Sequence, residues 1–271
     1  AWTPKPKGSQ GRQQKYSDLT IETVLTLRLL FHLPLRQTEG FVLSLFQLMK
    51  LHLPVPDHTT LSRRSCSLKP ILRPQSKPGQ PIHLIVDSTG LSIHGEGPWS
   101  SGKKRRRGWR KLHIMVDREG RVHSSCVSKW YTKDGSRVRH LLEGFNGEIA
   151  SLTGDKGYDQ NAVVRNVGKK NPAAQVVIHP RVNAVLSGKD EWTQRDWHVH
   201  KIRSDGVEAW RRESGYYRQS TVENTFYRYK TIIGKRLRAR GEDARQVEAT
   251  IACQILNRFL ELGRAESIPV G

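Results

Sequence analysis

Cysteine, acidic charge and long apolar runs are scarce in this chain of 271 residues, and each shortage closes off a class of protein. Only three cysteines occur, Cys66, Cys126 and Cys253, far apart and without Cys-x-x-Cys spacing. An odd, scattered set makes no disulfide framework, so the thiols read as small apolar residues of a reduced, intracellular protein. No apolar stretch approaches the roughly 20 residues that span a bilayer. The opening residues, through Lys5, Lys7 and Gly8, lack the apolar core of a secretory leader, and with Ala1 in place of Met further residues are expected upstream. Asp and Glu number 25 against 46 Lys and Arg, a formal net charge of +21. That excess favours a polyanionic partner, with nucleic acid first and an anionic membrane surface a weaker second.

What is present suffices for a folded core: 36% of the residues are hydrophobic, and the length fits one large domain or two, one of them small. Residues 1–16 read as a basic flexible tail, too rich in Pro, Gly, Gln and Lys to order itself. Residues 17–67 read as a small all-α, helix-turn-helix-like domain. Leu25, Leu29 and Leu30 follow a helical rhythm behind Ser17 or Asp18 as N-cap, and Phe41, Leu45 and Leu48 form one stripe of a second helix. The stretch Pro56-Asp57-His58-Thr59-Thr60-Leu61-Ser62-Arg63-Arg64 supplies a third. Thr60, Arg63 and Arg64 are its candidate DNA contacts, the bland alternative being an exposed helix of an ordinary bundle. Pro70, Pro74, Pro78 and Pro81 mark residues 68–81 as a semi-stiff linker.

From residue 82 to 262 the pattern turns α/β. Ile82 to Ile93 reads as a strand closing on Asp87-Ser88-Thr89-Gly90. Lys111–Val116, Val122–Val127, Ile149–Leu152 and Val176–Ile178 read as further strands, and helices are expected from Asp134 through Leu142 and from about Asn161. Residues 181–214 form a polar, Trp-rich insertion, and helices over about 218–233 and 244–262 precede a short tail, 263–271. Three strands, helix, strand, helix, strand, then helices is the order of an RNase H-like fold, although periodicity alone supports only α/β.

In the stretch from Tyr216 to Lys230, helical spacing places Gln219, Glu223, Tyr227 and Lys230 on one face and Val222, Phe226 and Tyr229 on another. In open α/β sheets ligands gather beyond the carboxyl ends of strands. Asp87 and Asp155 can therefore share a cleft, which Glu223 caps if its helix packs across the sheet. Three carboxylates are the oxygen donors that Mg²⁺ asks of a protein while it keeps water and takes up phosphate. Read singly, Asp87 is a strand-end turn residue and Asp155 an Asx turn with Gly154 and Gly157; Asp117, Asp134 and Asp159 read as turn or cap residues outside the site. The run Lys103-Lys104-Arg105-Arg106-Arg107, followed by Trp109 and Arg110, reads as a basic flap for phosphates with an aromatic for stacking, or as a charged loop. His198-x-His200 lacks partners at zinc spacing.

Asp87 in His-Leu-Ile-Val-Asp-Ser-Thr-Gly-Leu, Asp155 in Gly-Asp-Lys-Gly-Tyr-Asp, and Tyr216, Glu223 and Lys230 on the late helix together resemble the DDE transposases of bacterial insertion sequences, most closely the insertion-sequence-five family. The resemblance extends to Pro56–Arg64 and so covers nearly the whole chain. It implies catalytic, metal-holding Asp87, Asp155 and Glu223, two Mg²⁺ ions with Mn²⁺ able to substitute, and cleavage at terminal inverted repeats followed by joining to target DNA. Tyr216 and Lys230 are then expected to hold the backbone, in a homodimer or higher assembly on DNA in the bacterial cytoplasm, at the nucleoid and away from any membrane. Where that family carries Arg in the late-helix pattern, this chain has Gln219 with Arg218 beside it. An RNase H-like nuclease without strand transfer, or a non-catalytic DNA-binding regulator, are the rival readings.

Overall fold

The computed structural model describes residues 1–4, 13–72, 80–94, 108–188 and 191–263, and for Tyr217 and Arg218 the backbone alone. Three helices open the chain: α1 (Asp18–Leu30), α2 (Leu35–Leu48) and α3 (His58–Arg64). Ser17 caps α1 by accepting the Thr20 amide, and Asp57 caps α3 by accepting the Thr60 amide at 2.8 Å. These are the orphan donors that every helix start must satisfy.

Next come β1 (Ile82–Ile93), β2 (Trp109–Val116) and β3 (Val122–Lys129), a 3-10 turn at Asp134–Arg137 running into α4 (Val138–Glu143), and β4 (Ile149–Gly154). After them lie α5 (Asn161–Lys170), β5 (Gln175–Ile178), α6 (Gln194–Ser214), α7 (Ser220–Ile232), the two-residue β6 (Arg236–Leu237) and α8 (Glu242–Leu262). The sheet order is β3-β2-β1-β4-β5. β1 to β3 are antiparallel, and β4 and β5 run parallel to β1. That is the RNase H-like arrangement expected from the order of elements.

Alternation along β1 sorts the core into two layers. Ile85 and Leu91 join one layer with α1, α7 and α8, whereas Leu84 and Val86 join the other with α4 and α5. Side-chain amides take up part of the free backbone of both outer strands. Gln246 and Asn257 of α8 bond the backbone of β3 at Ser125, Val127 and Val122. Gln194 of α6 accepts the Val176 amide at 2.6 Å and donates to Ala174 at 3.0 Å. Backbone groups satisfied in this way are withdrawn from pairing with a foreign strand.

Several expectations need correction. The opening tail is not wholly loose: Trp2 packs edge-on against Phe46 and its indole donates to the Pro54 carbonyl at 2.8 Å, while Tyr16 is buried. The helical module is not a separate body on a linker either. Ile21, Val24, Leu25 and Leu29 share one hydrophobic core with Ile251, Ile255 and the sheet. Leu68 is buried and Leu72 packs on the same core. The insertion at 181–214 contains the long helix α6, started by a Thr193/Asp196 capping box and kinked at Gly206 (φ 86°). Among the described residues no helix is long and apolar enough to cross a membrane.

Candidate active site

Parallel pairing between β1 and β4 ends at Val86 opposite Gly154, so the next residues, Asp87 and Asp155, are neighbours where β4 leaves the sheet. Asp87 is not at the end of its strand as the sequence suggested, but at its middle. β1 continues to Ile93 with β2 along one edge, and β6 takes up the other edge only at Ser92. Residues 87–91 therefore border a notch between β4 and β6. Asp155 caps the 3-10 turn Lys156–Tyr158, its Oδ1 accepting the Gly157 amide at 2.8 Å. Gly157 has no room for more: an added Cβ would lie 2.9 Å from Asp155 Oδ1 and 3.4 Å from Asp134 Oδ2.

α7 delivers the third carboxylate. Val222, Phe226 and Tyr229 are buried against the sheet while Glu223 stays exposed, the two faces that helical spacing gave. Asp87 feels the other acids. Burial first, then repulsion from Asp155, Asp134 and Glu223, pushes the Asp87 carboxyl up to about 7, against the pull of the Ser88 amide it accepts. Burial first, then the field of Asp155 and less of Asp87 and Glu223, against the pull of Arg211, raises the phenol of Tyr216, in the 3-10 turn before α7, to about 12. It is thus a neutral hydrogen-bond donor beside the acids. Tyr216 is seated by aromatic contact with Trp210, ring centroids 4.9 Å apart. Trp210 in turn donates to His198 Nδ1, and His198 Nε2 donates to the Val176 carbonyl. Both nitrogens of His198 are thereby occupied within the fold.

Asp134, set aside in the sequence as a cap, belongs to the neighbourhood. Lys133 occupies the cap position, and Asp134 accepts Ser88 Oγ at 2.8 Å and Lys111 Nζ at 2.9 and 3.1 Å. Nothing in its spacing could have announced this, because the contact depends on Ser88 of β1 and Lys111 of β2, 46 and 23 residues away in sequence, meeting at one turn. Tyr158, fully buried with an unpartnered hydroxyl, also faces Asp87, Asp134 and Asp155.

The expected nucleic-acid contacts divide. Lys103, Lys104, Arg105, Arg106 and Arg107 lie outside the described residues, as does the Arg218 side chain. Arg110 is held by Glu242 of α8 at 2.5 Å, with only 13% of its side chain exposed. Trp109 covers the face of Gly90, its ring 3.1 Å from where a Cβ would stand. Arg64 is likewise engaged, donating to the Tyr16 carbonyl at 3.0 Å and pairing with Asp18. The Thr60 hydroxyl is bound to Asp57 at 2.9 Å. Arg63 alone among these N-terminal candidates is exposed with no partner among the described residues. Gln219 Oε1 is buried and unpartnered, and Lys230 stands on the Glu223 face, about 10 Å further along the axis at ~1.5 Å per residue.

The donor set is oxygen only, which suits a hard divalent cation, and the mutual repulsion of these acids is what such an ion would relieve. Among the described residues, however, no three His, Cys, Asp or Glu side chains already converge as a ligating group. One oxygen of Asp87 and one of Asp155 is engaged with a backbone amide, leaving each a second oxygen.

A family model described as "Transposase DDE domain" matches residues 78–258, more than half of the chain, and a second of the same description matches residues 1–96. Among solved structures, the chain is similar to one in the cryo-EM structure of the simian T-cell lymphotropic virus intasome in complex with PP2A regulatory subunit B56 gamma. Identity there is 12% and the TM-score 0.29, over 75% of this chain and 64% of that one. It is also similar to the piggyBac transposase in a synaptic complex with hairpin DNA, at 12% identity and a TM-score of 0.40 over 97% of this chain and 71% of that one.

Proposed function

The chain belongs to the transposase DDE domain family, and on that premise we propose that it cuts DNA at the inverted-repeat ends of its element and joins those ends to target DNA. The late-helix residues Tyr216, Glu223 and Lys230 favour the insertion-sequence-five branch. What supports the reading is that Asp87 and Asp155 follow directly on the paired Val86 and Gly154 of neighbouring strands, while α7 leaves Glu223 exposed and within the electrostatic reach of Asp87.

Asp87, Asp155 and Glu223 would hold two Mg²⁺ ions, for which Mn²⁺ can substitute. Bound there, the ions supply Lewis-acid activation of an attacking oxygen and stabilise the leaving oxygen. The remaining work falls to the chain itself. Tyr216, kept neutral, donates a hydrogen bond toward a phosphate oxygen beside the acids, and Lys230 neutralises backbone charge along the same helix. The net charge of +21 draws DNA toward a cleft whose own carboxylates repel it. The resemblance to insertion-sequence transposases implies a homodimer or higher assembly on paired ends.

Asp87→Asn, Asp155→Asn and Glu223→Gln should each abolish metal-dependent nicking of end-bearing DNA while leaving end binding within a few-fold of wild type, about 1 kcal/mol. An amide keeps the shape and loses the charge. Binding lost in step with cleavage in all three would assign these residues to folding. Transfer of labelled ends into a plasmid separates the transposase from a nuclease that stops at cleavage.

A further inference from the structure

Beside the carboxylates, the loop that follows β3 carries chemistry the cluster itself does not use. Lys129 ends β3 opposite Arg110, and Trp130, Tyr131, Thr132 and Lys133 follow before Asp134. The loop is clamped to the site: Lys111 Nζ donates to the Thr132 carbonyl at 3.1 Å and to Asp134 at 2.9 Å, and Asp134 accepts the hydroxyl of Ser88, next to Asp87. Tyr131 is 63% exposed. Trp130 meets it edge-on at 5.6 Å, and Lys129 Nζ stands 6.0 Å from its centre. Lys129 and Lys133 are both exposed, and residues 129–133 include no acid.

We propose that residues 129–133 bind an unpaired nucleotide of the DNA substrate, with the Tyr131 ring as stacking platform and Lys129 and Lys133 as phosphate partners. The inference rests on the DNA reading above. Exposed aromatics set among lysines are how proteins hold single strands, since every base has a π-face and every link a charge. Inside a duplex both faces of a base are already stacked, so Tyr131 can be used only by a base that has left the helix. A site that opens one strand next to Asp87 produces such a base.

The probe is a short duplex of scrambled sequence carrying a single-stranded extension with 2-aminopurine, compared with its blunt counterpart, in EDTA so that no cleavage occurs. Wild type should bind the extended duplex more tightly and quench the fluorophore. Tyr131→Phe should do the same. Tyr131→Ala should weaken binding of the extended duplex by about 5- to 100-fold and lose the quenching, with blunt-duplex affinity unchanged. Lys133→Ala should flatten the salt dependence. Trp192→Ala, another exposed aromatic, beside β5, should change nothing. Equal affinity of wild type and Tyr131→Ala for the extended duplex overturns the proposal, as does an equal loss on both duplexes. Failure of wild type to bind either duplex overturns the DNA reading itself. An unchanged melting temperature of Tyr131→Ala shows that the fold is intact.

Discussion

Asp87 links stability to chemistry at the scale of one residue. Its carboxyl titrates at about 7 in the fold and near 3.8 as a free group, so the folded chain holds this proton more tightly. That contribution is full below about pH 4 and is lost as pH rises through about 7. Metal-free Asp87→Asn should therefore melt close to wild type at acid pH and above it at pH 8, by about 2–4 kcal/mol. Added Mg²⁺ should raise only the wild type. A gap between the two proteins that ignores pH would sink this account. Gly157 offers a second test. Because an added Cβ would crowd the Asp155 carboxylate rather than backbone, Gly157→Ala should lower turnover about tenfold or more while leaving the melting temperature within about a degree. Equal activity would mean that the Asp155 carboxylate tolerates displacement.

At the scale of elements, α3 separates two arginines that the sequence treats alike. Arg64 fastens α3 to α1 and to the Tyr16 carbonyl, so Arg64→Ala should cost about 1–3 kcal/mol of stability, measurable in urea. Arg63 is exposed and has no such duty. If α3 enters a major groove, Arg63→Ala should cost about 1–3 kcal/mol on the cognate end, less on a scrambled one, and nothing in stability. A binding titration with both duplexes decides between a reading helix and a bundle surface. α7 shows the opposite case, in which spacing alone sufficed: the buried set Val222, Phe226 and Tyr229 and the exposed Glu223 follow from the period of the helix.

For the whole molecule, the helical module and the RNase H-like sheet share one core across α1 and α8. Leu25, Leu29, Val247 and Ile251 line one small gap there with Arg28 and Glu248. Glu248 is buried and accepts the backbone amides of Arg238 and Ala239, while Arg238 reaches back to the His32 carbonyl. Heating should accordingly give one cooperative transition rather than two. Ile251→Ala should lower it by about 2–5 kcal/mol without splitting it. A fragment of residues 13–72 should lack stable helix by circular dichroism; two separable transitions would show instead that the module folds alone.

The sequence by itself determined what depends on neighbours along the chain. The start of α1 at Ser17 or Asp18, β1 over Ile82–Ile93, the two faces of α7 and the order of elements are all set by local hydrogen bonding and by periods of two and 3.6 residues. Motif resemblance singled out Asp87, Asp155 and Glu223 as the proposed metal ligands, since a repeated spacing survives as text even where its partners are distant. Tertiary structure alone decided the rest. Asp87 lies mid-strand because β2 keeps pairing with β1 as far as Ser92, where β6 joins from the other side. Asp134 joins the site because Ser88 and Lys111 converge on it across two strands. Arg64 and Arg110 are spent on Asp18 and Glu242, partners that no periodicity predicts. An exposed arginine and one held in an ion pair have the same letter, and only the packing of the chain against itself distinguishes them.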